Sequence, residues 1–413
     1  MTIDRAEALN RDAQDPLASF REHFILRDGL IYLDGNSLGP AQKSVVERVR
    51  NCLDEEWGKQ LIASWNTAGW FVLPQTIGGK IAPLIGAGAN DVVATDSTSV
   101  NLFKVLAAAV SLRPDRRVIV SERSNFPTDL YIAEGLAALA DRGHQLRLID
   151  DASELETAID SDVAVVMLTQ VNYRSGELHD LQRVTGLAHE AGAVMVWDLA
   201  HSAGALPIDL AAADADFAVG CGYKYLNGGP GAPAFVYVAP RLQDRVSQPL
   251  SGWFGHSAPF AMEPAFDAAP SIHRFLTGTP PILSMVALDA ALDLWADVSL
   301  PALREKSVAL CELFIRLVEE RCGAYGLVLA SPRDSARRGS QVCFAHENAY
   351  PIMQALIARQ VIGDFRAPDI LRFGFAPLYV RFVDVYDAVD QLVDVLDTQE
   401  WNQDRFAAKE MVT

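Results

Sequence analysis

Through the middle of the chain, short runs of apolar and β-branched residues alternate with stretches of helical period. V-I-V-S at 118–121 leads into a helix-like segment at 128–142, and L-R-L-I-D at 146–150 precedes S-E-L-E-T-A-I. V-A-V-V-M-L-T at 163–169 is followed by a helical stretch at 181–191, then by V-M-V-W-D, D-F-A-V-G-C and A-F-V-Y-V in order. Strands that are apolar on both faces, interleaved with amphipathic helices, predict a mostly parallel sheet covered by helices on each side. This α/β domain is expected over residues 51–281. Beyond Pro280 the pattern changes to a long helical run from 282 to about 318, broken at S-L-P-A. Strand-like pieces follow at 326–330, 341–345 and 370–375, with helices at 351–359 and 383–396. A smaller α+β domain is therefore expected at 282–413, with residues 1–50 packing onto one domain or the other. The polar tail from Gln399 is expected to fray.

Composition narrows the function classes. The 413 residues are half hydrophobic and carry a net charge of −18. Such an acidic balance argues against nucleic acid, whose backbone is gripped by clustered Lys and Arg, and against an anionic membrane surface. No apolar run approaches the ~18–20 residues that span a bilayer, and the first residues carry no signal-peptide pattern. Five cysteines at irregular spacing, without C-x-x-C, suggest neither a zinc site nor a disulfide framework. No metal is expected, and the cysteines read as reduced thiols of a cytoplasmic protein.

The chemistry concentrates in two segments. The apolar run V-M-V-W-D ends in Asp198, and a single lysine, Lys224, follows between two tyrosines and before a glycine-rich turn. An acid at the carboxyl end of a strand and a lysine held in a tight turn are what pyridoxal 5′-phosphate requires. The amine forms a Schiff base, and the acid keeps a proton on the ring nitrogen. Taken singly, Asp198 also reads as a helix cap and Lys224 as a solvated lysine; taken as a pair, the two favour the cofactor. A phosphate needs an anion cradle at a helix N-terminus, and Ser97, Thr98 and Ser99 open a helix with an apolar face of Leu102, Val105 and Leu106. Phe126, in S-N-F-P-T-D, is placed to stack on a flat ring or to join the core, with Pro127 and Thr128 starting the next helix. His201, three residues after Asp198, reads as a hydrogen-bond partner of the cofactor, whereas His256 and His273 are weaker candidates. Arg372, in the apolar strand I-L-R-F-G-F, suits a substrate carboxylate; a buried structural ion pair is the alternative.

Eight motifs carry a resemblance that covers nearly the whole chain: Y-L-D-G-N-S-L-G (32–39), S-W-N-T-A-G-W (64–70), N-F-P-T-D (125–129), W-D-L-A-H-S-A-G (197–204), Y-K-Y-L-N-G-G-P-G (223–231), P-L-S-G-W-F-G-H (249–256), G-T-P-P (278–281) and R-F-G-F-A-P-L-Y (372–379). Together they resemble the kynureninase family, of bacterial type. These are fold-type I pyridoxal-phosphate hydrolases of the class V aminotransferase superfamily, with a seven-stranded-type sheet. D-x-A-H with a downstream lysine is shared by that superfamily, whereas Y-K-Y-L-N-G-G-P-G with L-S-G-W-F-G-H is specific to the family.

The resemblance implies that Lys224 binds the cofactor covalently and that Asp198 pairs with its pyridinium. It implies a phosphate held by Ser97, Thr98, Tyr223 and Trp253, with Thr279, the last two coming from a neighbouring subunit of a homodimer. Phe126 would stack on the ring, Pro127, Thr128 and Asp129 would complete its loop, and Thr169 and His201 would contact the cofactor. Arg372 would take the substrate α-carboxylate, while Ser37 and Trp65 would flank the aryl ketone. Ser97 stands where a threonine is common, and Thr279 where some eukaryotic members have asparagine. The implied reaction is hydrolysis of L-kynurenine or its 3-hydroxy derivative to anthranilate or 3-hydroxyanthranilate and L-alanine. It would serve tryptophan degradation by the kynurenine pathway, with a link to NAD biosynthesis, and Tyr223 is the candidate proton shuttle.

The nearest competing reading is a cysteine desulfurase or selenocysteine lyase, which needs a mobile, exposed cysteine after the lysine. Cys343 is the residue in that region, and its alternating neighbours predict a strand with a packed thiol. A non-catalytic protein on the same fold is the other alternative, and such relatives usually lose the lysine or the acid.

Overall fold

In the computed structural model, residues 4–408 are described. They divide into two compact units: Ser44–Asn172 with His179–Ala296, and the N-terminal residues to Lys43 with Tyr173–Leu178 and the chain from Asp297.

The larger unit is built on a seven-stranded sheet. Its strands in chain order are β1 (Val92–Thr95), β2 (Val118–Glu122), β3 (Gln145–Ile149), β4 (Val163–Thr169), β5 (Val194–Asp198), β6 (Phe217–Gly220) and β7 (Ala234–Val238), and they lie in the order β1-β7-β6-β5-β4-β2-β3. Pairing is parallel from β3 through to β6, and β7 alone runs against its neighbours. Every residue of β4 and β5 is buried, as expected of strands with helices over both faces. At the edge, β3 is half-exposed, and its Arg147 pairs with Asp160 at 2.7 Å; a charge there discourages further strand pairing.

The order of these strands fixes where a ligand can sit. From β2 the chain crosses outward to β3, whereas from β4 it proceeds the other way to β5. The β2/β4 boundary is therefore the topological switch point, and open α/β sheets bind ligands beyond the carboxyl ends of such strands. Asn125 and Phe126 follow β2, Thr169 ends β4, and Asp198 ends the adjacent β5.

Helix starts are set by local chemistry. Ser97 caps the Thr98–Ser111 helix by accepting from Val100 N–H at 3.3 Å, and Asp180 caps Leu181–Glu190 by accepting from Arg183 N–H at 2.9 Å. Leu102, Val105 and Leu106 are fully buried, as their spacing predicts. Pro127 opens the Pro127–Ala140 helix, at a position where a missing N–H costs nothing. The Ile282–Asp293 helix packs on Leu73–Ile81 within this unit, and Lys80 bridges Asp289 and Asp293 at 2.6 Å each.

In the second unit an antiparallel sheet runs Asp364–Arg366, Ile370–Gly374, Gln341–Ala345, Val328–Leu329. Phe314, from the Leu300–Cys322 helix, packs against it, with ring centroids 4.8 Å from Phe373 and 5.2 Å from Phe375. Asp12 accepts from the N–H groups of Phe382 (2.6 Å) and Val383 (3.0 Å) at the start of Phe382–Asp397, tying the N-terminal residues to the C-terminal helix. The tail departs from expectation. Beyond Gln399 it forms two short helical turns, Phe406 is buried, and Tyr350 Oη donates to Ala408 O at 2.9 Å. Apolar docking of Phe406 outweighs the polar composition there. Residues 409–413 of that tail lie outside the described residues. No helix among the described residues is long and apolar enough to cross a membrane.

Candidate functional site

Lys224 is held by a loop folded tightly on itself. Gly228 N–H donates to Gly222 O at 2.8 Å, and Asn227 N–H to Lys224 O at 3.0 Å. A Cβ at Gly222 would lie 2.5 Å from Pro233 O, and one at Gly228 would lie 2.8 Å from Gly222 O. Both positions exclude a side chain, which explains the glycines flanking the lysine better than flexibility does. Lys224 Nζ lies 2.9 Å from His201 Nε2.

Beside them are two buried carboxyl groups. Asp198 accepts from Ala200 N–H at 2.8 Å and is hydrogen-bonded to Asp129. Burial, then the neighbouring Asp198 charge, pushes Asp129 well above the ordinary carboxyl range. Burial also raises Asp198, against the opposing pull of Lys224. Two acids this close cannot both ionise. The pair therefore shares one proton, and the stronger upward push on Asp129, with the pull of Lys224 on Asp198, favours the arrangement in which Asp129 donates and Asp198 carries the charge.

The surrounding contacts make the arrangement rigid. Thr169 Oγ1 donates to Asn125 Oδ1 and lies 3.4 Å from Asp129 Oδ2. Asn125 Oδ1 also accepts from Phe126 N–H at 2.7 Å, while its amide donates to Ser121 Oγ at 3.1 Å. Asn125 therefore aims both Thr169 and Phe126, a role that sequence reading missed although the residue lies within N-F-P-T-D.

Ser97, Thr98 and Tyr223 line one cavity of about 470 Å³, with Asp96, Cys221 and Pro281. At its rim, burial tends to raise Asp96, but the fully buried Lys104 outweighs this, and the carboxyl titrates below its usual range. Lys104 also donates to Phe275 O at 2.7 Å, and Thr277 Oγ1 to Asp96 at 3.1 Å. The ion pair neutralises an acid that would otherwise repel a phosphate. Sequence reading missed Lys104, since a lysine inside an apolar helix gives no local sign of its distant partner. The cavity's hydroxyls and helix N-terminus, with the amine and the acid pair in the same unit, fit pyridoxal phosphate.

Other predicted residues lie elsewhere. Trp253 is 37% exposed and lines a different cavity of about 330 Å³, and Thr279 is exposed. The structure does not bring either to the cavity of Ser97 and Thr98. Trp65 stacks edge-on with Trp70, at 6.0 Å between ring centroids. Phe126 is 39% exposed, and Pro127 and Thr128 are half-buried in the first turn of their helix.

In the other unit, Arg372 and Ser37 are together. Arg372 is 1% exposed, and its guanidinium donates to Ser37 Oγ (2.7 Å), Asp364 Oδ2 (2.6 Å) and Tyr173 O (2.8 Å). The ion pair weighed as the alternative role for Arg372 is thus present. Arg366 reaches the same Asp364 oxygen at 2.6 Å. Asp34 lies nearby, pushed up to about 7 by burial and by Asp364.

Similarity to known proteins extends over nearly the whole chain. Residues 303–392 match the kynureninase C-terminal domain family. The kynureninase of Burkholderia mallei strain SAVP1 is 57% identical over 413 residues, 99% of each chain, and that of Pseudomonas fluorescens is 55% identical over the same span. The chain belongs to the kynureninase family. Its fold is also shared by distant relatives. A cysteine desulfurase from Thermococcus onnurineus NA1 has a TM-score of 0.77 at 20% identity, covering 92% of this chain and 98% of its own. A C-DES variant with glycine covalently linked to its pyridoxal-phosphate cofactor has a TM-score of 0.78 at 17% identity, covering 91% and 99%. These distant likenesses establish the fold-type I architecture alone. Cys343 is fully buried in its strand with its thiol pushed up to about 11, the opposite of an exposed persulfide carrier.

Proposed function

We propose that this chain hydrolyses L-kynurenine, or its 3-hydroxy derivative, to anthranilate or 3-hydroxyanthranilate and L-alanine. It does so as a cytoplasmic pyridoxal-phosphate enzyme of tryptophan degradation. The observation that carries the reading is the amine of Lys224 acting on the buried Asp198–Asp129 pair, in a member of the kynureninase family. When bound, pyridoxal phosphate supplies a sink for the electron pair left on the substrate α-carbon.

The chain's own groups do the rest. With pyridoxal phosphate bound, Ser97, Thr98 and Tyr223 would hold its phosphate, Phe126 its ring, and Asp198 the proton on its ring nitrogen. His201, 2.9 Å from the amine, orients Lys224, which removes the α-proton. Arg372 takes the α-carboxylate. Tyr223 passes a proton at the γ-carbonyl as water adds there. The Cβ–Cγ bond then breaks, anthranilate leaves, and protonation at Cβ followed by return of a proton to the α-carbon from Lys224 gives alanine.

The active form is a homodimer in which Trp253 and Thr279 complete the phosphate site of the other copy. The exposed aromatic cluster supports this: Trp253 lies 6.0 Å from Phe260, which lies 5.4 Å from Phe71, and exposed Met262 lines the same cavity as Trp253. Apolar patches of this kind mark interaction surfaces.

The test is anthranilate fluorescence and alanine release from L-kynurenine, with absorbance of the bound cofactor, in the native protein and in Lys224→Ala. Turnover and the lysine-linked absorbance band should both be lost in the variant. Sulfide release from cysteine without anthranilate from kynurenine would overturn the reading.

A further inference from the structure

Arg372 is held by the protein's own groups. Asp364 and Arg372 stand directly opposite each other across two antiparallel strands, and both are buried, at 3% and 1% exposure. Asp364 Oδ2 receives Arg372 at 2.6 Å, Arg366 at 2.6 Å and Ser37 Oγ at 2.8 Å. Three donors on one oxygen, from two strands and the loop after Tyr32, leave the guanidinium no other orientation. Its Nε, also buried, has no acceptor among the described residues. A buried guanidinium nitrogen whose N–H makes no bond is costly unless something is meant to take that bond.

We propose that Asp364 is a positioning residue for substrate: it locks Arg372 so that the Nε–H edge is kept for the substrate carboxylate. The proposal rests on Arg372 as the carboxylate site. The charges suit it. Arg366 and Arg372 face Asp364 and Asp34, and an incoming carboxylate is accommodated when Asp34 carries a proton, which burial and the Asp364 charge favour. Asp364 contributes through geometry as well as charge, because without it Arg372 is held only by Tyr173 O and Ser37 Oγ, and the Nε–H edge is no longer fixed. Partners that orient a ligand-binding side chain are worth about 10–100-fold when removed.

The experiment uses the full-length holoenzyme with Asp364→Asn and Asp364→Glu. Asparagine removes the charge, while glutamate keeps it with the carboxylate displaced by one methylene. KM for L-kynurenine should rise about 10–100-fold in Asp364→Asn, with kcat within about threefold and partial recovery in Asp364→Glu. Inhibition by the carboxamide of L-kynurenine, which lacks the charged group, should stay within about twofold of the native protein in both. An unchanged KM overturns the proposal, as does a loss that extends equally to kcat and to the carboxamide. If Asp364→Asn does not fold, the same measurements on Asp364→Glu support or overturn the proposal in the same way. Arg372→Ala separates the two levels. If it leaves KM unchanged, the assignment of Arg372 fails; if it raises KM while the Asp364 variants do not, only the positioning role fails.

Discussion

Asp198 and Asp129 divide one task between them. A single buried carboxylate facing Lys224 is balanced by that lysine; a second charge would not be. The upward push on both acids favours a proton on Asp129 donated to Asp198, and an amide at 129 can make the same donation. Asp129→Asn should therefore retain the cofactor and most of kcat, whereas Asp198→Asn should lose about 10²–10⁴-fold in kcat as the ring nitrogen loses its proton partner. Steady-state kinetics on both variants decide this, and comparable losses would refute the division. Asp34 presents the opposite case, an acid whose raised value bears on stability. Its folded value of about 7 lies above the ~3.9 of an unfolded aspartate. The folded state therefore holds the extra proton between those limits, and the stability from this group is full below pH ~4 and lost as pH rises through 7. Asp34→Asn, which mimics the protonated acid, should melt closer to the native protein at pH 5 and above it at pH 8. A melting-temperature difference that does not grow with pH would contradict this. Of these acids, Asp198 was legible in sequence because a strand end announces itself locally. Asp364 was not, because its meaning comes from Arg372 opposite it, and that register is set by tertiary pairing.

At the scale of elements, two helix starts that look alike differ in what they hold. Ser97 and Asp180 each cap a helix through a side-chain oxygen, and replacing either by alanine should cost about 1 kcal/mol of stability. Only Ser97 lines the cavity of Thr98 and Tyr223. Ser97→Ala should therefore also raise the dissociation constant for pyridoxal phosphate several-fold, while Asp180→Ala leaves it unchanged. Equilibrium cofactor titration beside thermal melts reads both, and equal cofactor affinities would show that the hydroxyl serves the helix alone. Long apolar strands and their helices were predictable here because period and length agree over many residues. Val92–Thr95, a four-residue strand joined antiparallel to β7, and the three-residue Asp364–Arg366 escaped notice. Neither is long enough to show a period, and both exist because a neighbouring strand pairs with them.

For the whole molecule, the decisive issue is whether one chain can complete its own phosphate site. Ser97, Thr98 and Tyr223 share a cavity, but Trp253 lines another, so a dimer that lends Trp253 to its partner makes a countable prediction. Lys224→Ala should be inactive, and Trp253→Ala strongly impaired at limiting cofactor. If Trp253 acts across the interface, a hybrid dimer places both lesions in one site and leaves the other site native. Equal amounts of the two variants, dissociated and reassociated at random, give half hybrids with one working site of two. Activity should thus recover to about a quarter of the native level, by that count. If Trp253 serves its own chain, every site in every dimer keeps a lesion and mixing restores nothing. The two outcomes differ in kind rather than degree, and anthranilate fluorescence after mixing, with each variant alone as the baseline, separates them.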